Sequence, residues 1–360
     1  MAAPGDTEGE DMHTDTDARR PGPPRRPVVI AHRGASGYRP EHTLAAYELG
    51  ARLGADYLEP DLVTTSDGVL VCRHEPEIGT TTDVAAHPEF AGRRRTCTVN
   101  GADVTGWFVQ DFTLAELKTL RAVERLPALR RNSTMYDGLF EVPTLAEVLD
   151  LRARLSAELG RELGVCPETK RPTFFAEQGL PLETRLVQLL DGNGLNHPGA
   201  PVLVQSLETT GLRQLRSLGL RTRTVQLVSA SGAPFDTVAA DRGPSYAEIT
   251  TPTGLKTVST YADAVGPDKA LVVPLADHGS LGAPTPLVTH AHDAGLLVVP
   301  FTFRAENRFL PADYRRGDRD ADFGRAVDEQ AVFFRTGIDG LFADQPDVAV
   351  LARARALDGS

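Results

Sequence analysis

Short apolar runs alternate with segments of helical periodicity along the chain from residue 28 onwards. Each run has roughly the 4–8 residues expected of a buried strand. The runs are VVIA (28–31), YLEPDLV (57–63), VLVCRH (69–74), LGVCPETK (163–170), PVLVQS (201–206), RTVQLV (223–228), ALVVP (270–274), LLVVPFTF (296–303) and DGLFAD (339–344). This alternation predicts an α/β fold with a parallel sheet covered by helices. A closed (β/α)8 TIM barrel is the first choice and a doubly wound open sheet is the alternative.

Four segments between the runs predict helices. EHTLAAYELGARLG ends on Gly54, and glycine is the residue type that commonly follows a helix C-terminus. TLAEVLDLRARLSAELG opens with Thr144 and carries Glu147 three residues later, which predicts a capping box. LETRLVQLLDGNG and SLETTGLRQLRSLG have a similar spacing of apolar positions.

The number of runs exceeds the eight strands of a barrel by one. TSDG at 65–68 has the composition of a tight turn. The runs at 57–63 and 69–74 are therefore expected to form a hairpin rather than two parallel barrel strands.

Three stretches interrupt the alternation. Residues 76–142 show little strand pattern and one short predicted helix, TLAELKTLRAV, whereas residues 229–258 and 305–320 are predicted to be loops. In a barrel such insertions belong on the C-terminal face, where they shape the cleft. We expect a disordered polar tail at 1–27 and a single barrel domain at 28–355, with 76–142 as its large insertion.

Composition narrows the function classes. Hydrophobic residues make up 41% of the 360, enough for a substantial core, and the net charge of −11 argues against nucleic-acid binding. Three cysteines without a CxxC pair predict free thiols in a reducing compartment. No apolar run has the length of a transmembrane segment and no signal peptide is recognised, so a cytoplasmic location is expected. The oligomeric state is left open.

Three acidic residues follow or interrupt the predicted strands. Glu59 and Asp61 are two positions apart, so on a strand their side chains point to the same face. Glu168 ends another run, and its side chain is expected at the same barrel opening. Buried neighbouring carboxylates require a cation, a proton or an arginine, although a solvent-exposed strand end would require none. Oxygen ligands alone favour Ca²⁺ or Mg²⁺.

Two histidines stand at the ends of predicted strands: His32 directly follows the first run, and His74 ends the third. At the mouths of adjacent strands beside a cation they are suited to act as an acid/base pair. Arg33 and Lys170 add positive charge for a phosphate group. This combination predicts a phosphate-ester site. His42 has no partner at ligand spacing and is interpreted as a surface or capping residue.

The sequence HRGASGYRPEHTLAAYELGARLGADYLEPDLVTTSDGVLVCRHEPEIGTTTDV resembles the opening of glycerophosphodiester phosphodiesterases, and PETK and GIDGLFADQPD resemble later motifs of that family. The resemblance implies a TIM barrel that hydrolyses glycerophosphodiesters, such as glycerophosphocholine and glycerophosphoethanolamine, to sn-glycerol 3-phosphate and an alcohol. Carried over by motif, the acid/base pair is His32 and His74, and the metal ligands are Glu59, Asp61 and Glu168.

The same resemblance implies that Arg33 and Lys170 face the phosphate. An aromatic residue in the run VVPFTF is expected to pack on the glycerol or the cleft wall, and Phe303 or Phe301 would serve. The large insertion after His74 resembles that of the calcium-using branch, so Ca²⁺ is preferred and Mg²⁺ is the alternative.

Other functions remain open at this stage. A lysophospholipid or sphingomyelin phosphodiesterase would use the same barrel with an exposed apolar rim, for which Trp107, Phe108 and Phe112 are candidates. A non-catalytic phosphodiester-binding barrel is a second alternative. A zinc hydrolase is disfavoured, because His290 and His292 do not share a helix face.

Overall fold

The computed structural model describes residues 26–358, so the tail predicted at 1–27 lies almost entirely outside the described residues. All strands within that range are short. They are β1 Val28–His32, β2 Tyr57–Glu59, β3 Asp61–Thr64, β4 Leu70–Cys72, β5 Arg95–Val99, β6 Ala102–Gly106, β7 Gly164–Val165, β8 Glu168–Thr169, β9 Leu203–Ser206, β10 Arg223–Val228, β11 Ala264–Pro267, β12 Leu297–Val298 and β13 Gly340–Ala343.

Eight parallel strand positions close into a barrel. One hydrogen-bonded set has the order β13-β1-β2-β7 and the other the order β12-β11-β10-β9-β8-β3. β2 and β3 are halves of one position, divided at Pro60, and β7 and β8 are halves of the next. The ring closes where the Phe303 amide donates to the Phe342 carbonyl at 2.8 Å and where Val165 bridges to Val202. The predicted TIM barrel is confirmed.

The surplus run forms the predicted hairpin. β4 pairs antiparallel to β3, with Leu62 opposite Cys72, and it lies outside the barrel ring. The prediction of a strand at ALVVP (270–274) is wrong. Most of that run is helical, and the barrel strand is β11 just before it. The Asp268 side chain accepts a hydrogen bond from the Ala270 amide at 2.8 Å and caps this helix, which overrides the β propensity of its valines.

Helices cover the outside of the barrel. They are α1 Leu44–Arg52, α2 Leu114–Leu117, α3 Leu145–Leu159, α4 Pro172–Glu177, α5 Glu183–Gly192, α6 Thr209–Ser217, α7 Phe235–Ala239, α8 Tyr246–Ile249, α9 Pro252–Val258, α10 Lys269–Val272, α11 Leu287–Asp293, α12 Ala326–Arg335 and α13 Pro346–Asp358. The predicted capping box of α3 is present, with reciprocal bonds between Thr144 and Glu147, and Gly160 ends the helix at φ +62°.

Segment 229–258 was predicted to be a loop, and this is wrong for much of its length. It holds α7, α8 and α9, each too short to show a helical apolar period in the sequence. A capping box between Ser245 and Glu248 fixes the start of α8, and Thr251 caps α9.

The insertion 76–142 packs on the barrel through aromatic residues. Phe108 and Phe112 are fully buried, and the Trp107 indole donates to the Phe90 carbonyl at 2.8 Å. It also contains the hairpin β5–β6, which the sequence prediction missed. Its turn, Asn100–Gly101, has φ values of +48° and +79°, and this residue pair is a strong hairpin signal.

Two composition-based expectations bear on the folded chain. Cys72, Cys97 and Cys166 are free, as predicted. Across residues 26–358, no helix has both the length and the apolar character needed to cross a membrane. The cytoplasmic location stays a prediction.

Candidate active site

A cavity of about 350 Å³ opens where the barrel strands end. Its walls combine charged groups with apolar side chains, among them Leu207 and Leu227. The predicted site residues on its walls are His32, Arg33, Glu59, His74, Glu168 and Lys170. The topology therefore brings together side chains that are far apart in the sequence, because parallel strands end at one rim of a barrel.

Three carboxylates converge at this rim. Asp61 pairs with Glu168 in the register of β3 and β8, and Glu59 ends β2 beside them. One oxygen from each lies within 4.8 Å of the others, and all three side chains are buried. Sequence alternation on one strand predicted this proximity, and the fold achieves it across the break at Pro60.

The three carboxyl groups have divergent protonation properties. Burial, reinforced by the other two acids, raises the pKa of Glu59 well above its usual range, and burial raises that of Glu168 to about 7. Burial also opposes ionisation of Asp61, but Lys170, His42 and Arg33 together lower its pKa well below the usual range. The protein's own groups thus favour the ionised form of Asp61, whereas Glu59 and Glu168 resist ionisation without a further positive charge beside them.

The donor set fits a hard divalent cation. Oδ1 of Asp61 is buried without a hydrogen-bond partner, although the Lys170 ammonium lies 3.2 Å away. The three acids offer carboxylate oxygens, and oxygen is the ligand atom that both Ca²⁺ and Mg²⁺ prefer.

His32 lies at the end of β1 and is held by a carboxylate. Its Nδ1 is 2.5 Å from Oδ1 of Asp344, which follows β13. Burial, assisted by Arg33, lowers the pKa of His32 to about 4 against the opposing effect of Asp344. The imidazole is therefore neutral near pH 7 and can accept a proton.

His74, which also lines the cavity, is held by a carboxylate in the same way. Its Nδ1 is hydrogen-bonded to Oε1 of Glu75. Burial, followed by the charges of Arg33 and Lys170, lowers the pKa of His74 to about 3, although Glu75 raises it. Both ring orientations are thus fixed through Nδ1, as in acid/base sites in which a carboxylate orients the imidazole.

Arg33 occupies an unusual backbone position. Its φ is +58°, and the next residue, Gly34, has φ +84° with no room for a Cβ, which would lie 2.5 Å from the Ala46 backbone. In this turn the Arg33 amide donates to Oε2 of Glu59 at 2.8 Å. Its guanidinium contacts Glu41 at 3.0 Å and Asp61 at 3.2 Å, so the cation is fixed beside the acidic cluster.

Sequence comparison places the chain among known proteins. Residues 32–348 match the glycerophosphoryl diester phosphodiesterase family. A glycerophosphodiester phosphodiesterase of Arabidopsis thaliana is 34% identical, over 89% of this chain and 84% of its own length. One from Bacillus subtilis is 30% identical, over 90% of this chain and 86% of its own length. The chain belongs to the glycerophosphoryl diester phosphodiesterase family. The enzyme class predicted from the sequence motifs is confirmed.

Solved structures of this family share the fold. An Oleispira antarctica phosphodiesterase, in complex with the product sn-glycerol-3-phosphate, aligns with a TM-score of 0.59 at 20% identity and covers 91% of this chain and 96% of its own. A glycerophosphodiester phosphodiesterase from Agrobacterium tumefaciens aligns with a TM-score of 0.54 at 19% identity, over 90% and 98% of the two chains. Both support the barrel architecture.

Phe303, the first choice for an aromatic residue in contact with substrate, does not line the cavity. Phe303 is fully buried and packs edge-to-face on Phe333, with ring centroids 4.7 Å apart. Phe301, the other candidate, lines the cavity. Of the two phenylalanines, Phe301 is therefore the one that faces the cavity, whereas Phe303 belongs to the core.

Several residues that contact the predicted site residues were missed in the sequence. His42, interpreted as a surface or capping residue, is completely buried and contacts Asp61, so that interpretation is wrong. Asp344 ends the run DGLFAD just as His32 directly follows VVIA, and this strand-end position was an available signal. Glu75 carried no signal of its own, because its role arises from the neighbouring imidazole.

Proposed function

We propose that the chain hydrolyses glycerophosphodiesters to sn-glycerol 3-phosphate and an alcohol by His/His acid–base catalysis. The observation that carries the proposal is the convergence of two carboxylate-held imidazoles and a buried acidic triad on one cavity. Relatives named for this activity match most of the chain, and the Oleispira antarctica neighbour was solved with sn-glycerol-3-phosphate bound.

The proposed cofactor is Ca²⁺, with Mg²⁺ as the alternative. Glu59, Asp61 and Glu168 would hold it, since their oxygens lie close together and Asp61 has an unpartnered oxygen. Bound there, the ion would neutralise the acidic cluster and withdraw charge from a phosphate oxygen as a Lewis acid.

The two histidines divide the proton transfers. One imidazole accepts the proton of the attacking hydroxyl, and the other donates a proton to the departing alkoxide. If water attacks, sn-glycerol 3-phosphate forms directly. If the C2 hydroxyl of the glycerol attacks, the alcohol leaves from a cyclic phosphate, which water then opens to sn-glycerol 3-phosphate. Asp344 holds His32 and Glu75 holds His74 through Nδ1, which directs each Nε2 to the reacting groups. A negatively charged diester beside an imidazole raises its pKa and so favours the acid form of the donor.

Arg33 and Lys170 are assigned to phosphate binding. Both line the cavity, and Lys170 is held between Asp61 and Glu168. Arg33 is held between Glu41 and Asp61, so its planar fork is already oriented when the diester arrives. Phe301, Leu207 and Leu227 supply an apolar wall for the carbon atoms of the substrate.

The lipid-substrate alternative has lost its supporting feature. Phe108 and Phe112 are fully buried, and Trp107 is partly buried against the insertion. These aromatics pack the insertion onto the barrel and do not form an exposed rim. The small diester therefore remains the proposed substrate.

The decisive experiment is direct product analysis. The protein is incubated with glycerophosphocholine, glycerophosphoethanolamine or bis(p-nitrophenyl) phosphate, with and without Ca²⁺, and glycerol 3-phosphate is quantified for the two glycerol diesters. We expect metal-dependent release of glycerol 3-phosphate. Absence of that product with every metal tested, from a folded protein, would overturn the proposed activity. A parallel reaction with lysophosphatidylcholine measures released choline, because cleavage of that diester leaves lysophosphatidic acid. Choline release from this lipid and not from glycerophosphocholine would favour the lipid alternative.

A further inference from the structure

One short segment of the insertion touches the supports of both histidines. Residues 123–132 carry Arg125 and Arg130, five positions apart. We propose that these two arginines are positioning residues: Arg125 fixes His74 through Glu75, and Arg130 fixes His32 through Asp344. This inference rests on the proposed function, because it assigns the segment a role in that reaction.

Arg125 joins two carboxylates that serve the cavity. Its guanidinium contacts Glu75 at 2.7 and 3.1 Å, and Glu75 holds the Nδ1 of His74. The same guanidinium makes a bidentate contact with Glu41 at 2.6 and 2.7 Å, and Glu41 in turn contacts Arg33. A continuous series of ion pairs therefore runs from Arg33 through Glu41 and Arg125 to Glu75, which is hydrogen-bonded to His74.

Arg130 makes the corresponding contacts on the other side. Its guanidinium lies 2.5 Å from Oδ2 of Asp344, the oxygen not used by His32. It also contacts Glu306 at 2.7 Å and donates to the Ser36 carbonyl at 2.9 Å. Arg130 is buried, so each of these contacts is shielded from solvent and strongly directional.

The segment that carries both arginines is itself fixed. Backbone hydrogen bonds form within the segment; for example, the Arg130 amide donates to the Leu126 carbonyl at 2.8 Å. Its start is tied to the rest of the insertion, because the Glu124 amide donates to Asp137 at 2.7 Å and the Ala122 amide to the Phe140 carbonyl at 2.8 Å. The guanidinium groups are therefore presented from a braced loop and not from a freely moving one.

Each guanidinium affects both geometry and charge. A carboxylate with one oxygen on an imidazole and the other on an arginine cannot rotate away, and the arginine keeps it ionised. Burial would raise the pKa of Asp344, but Arg304 and Arg130 hold it well below its usual range. An ionised, fixed carboxylate is what holds Nδ1 protonated and leaves Nε2 free for catalysis.

The two arginines are unequal in their expected effect. Asp344 also contacts Arg304 at 2.8 Å, so it keeps one guanidinium when Arg130 is lost. Among the described residues, the ion pair recorded for Glu75 with a permanently charged side chain is that with Arg125, and its other partner is the His74 imidazole. Loss of Arg125 should therefore have the larger consequence.

Kinetics of single variants give the first test. Arg125→Gln should lower kcat by about 10–100-fold, less than loss of a histidine, with a smaller change in KM. Arg130→Gln should lower kcat less. Arg131→Gln is the matched control, because Arg131 lies in the same segment with its side chain exposed. If the wild type is active and both Arg125→Gln and Arg130→Gln keep its kcat, the positioning roles are overturned, whereas the proposed function is not.

A double-mutant comparison tests the route of the effect. If Arg125 acts through Glu75, Arg125→Gln should cost little further activity in a Glu75→Gln background. If the activity losses of the two single variants multiply in the double variant, Arg125 does not act through Glu75. Arg125→Lys and Arg130→Lys retain the positive charge, so we expect each to have more activity than the corresponding glutamine variant. The lysine variants replace the glutamine variants in the test if the latter do not fold.

Histidine spectroscopy separates this inference from the proposed function. In ¹H–¹⁵N spectra assigned with His32→Gln and His74→Gln, Arg125→Gln should shift or broaden the Nδ1–H signal of His74 and spare that of His32. Arg130→Gln should do the reverse. This measurement requires no turnover. Unaltered signals in both variants would overturn the positioning roles, whereas an inactive wild type with the expected spectral changes would overturn only the function.

Discussion

Nε2 of His42 lies 2.9 Å from Oδ2 of Asp61, one of the three carboxylates of the acidic triad. Its Nδ1 is 2.7 Å from the hydroxyl of Tyr47 in α1, and the ring is fully buried. A side chain that does not itself belong to the triad therefore fixes the orientation of one proposed metal ligand. Groups that hold metal ligands in this way usually affect metal affinity.

His42→Ala should weaken Ca²⁺ binding by roughly 10–100-fold, because Asp61 loses a fixed partner. Isothermal titration of the metal-free protein measures the affinity directly. His197→Ala is the control, since His197 is exposed and lies away from the cavity. Wild-type affinity in His42→Ala would show that Asp61 is held sufficiently by Arg33 and Lys170.

His32→Ala and His74→Ala should each reduce turnover of glycerophosphocholine by about 10²–10⁴-fold, because each removes a proposed proton-transfer group. Circular dichroism should show an unchanged fold, and His197→Ala should retain full activity. Near-normal turnover in either variant would remove that histidine from the mechanism.

Chelation should abolish activity, and Ca²⁺ or Mg²⁺ should restore it. Because a ligand of the folded state stabilises it, Ca²⁺ should also raise the thermal midpoint of the wild type. Glu59→Gln should show a smaller rise, since it removes one anionic ligand, whereas the exposed Glu177→Gln should respond like the wild type. Full activity after exhaustive chelation would refute the assignment of the carboxylates.

Stability of the metal-free protein should depend on pH through His32. Its pKa is lowered from 6.5 to about 4, mainly by burial. Between these values the unfolded chain binds a proton that the folded protein does not, so the free energy of unfolding falls as the pH decreases.

Urea unfolding at pH about 7 and about 4.5 measures this effect. His32→Gln should lose less stability than the wild type over that interval, by at most about 3 kcal/mol. An identical pH dependence in the two proteins would show that His32 does not titrate abnormally in the folded state.

Local patterns in the sequence predicted much of the fold. The apolar runs predicted most barrel strands, and the Thr144–Glu147 pair predicted the start of α3. These signals are local, because capping and strand burial depend on residues that are close along the chain. The helix at 269–272 was missed for the converse reason: its valines favour a strand, and only its cap and its place after β11 make it helical.

The order of residues along the chain was enough to place histidines, acids and cations at the strand ends, and so to predict the histidine pair, the acidic triad and the two flanking cations. The side chains that hold these groups became visible only in the folded barrel. His42 reaches Asp61 across 19 positions, and Arg130 reaches Asp344 across 214. Contacts over such separations leave no periodic trace in the chain. They arise because barrel closure places the end of the last strand beside the first and brings the insertion to the same rim.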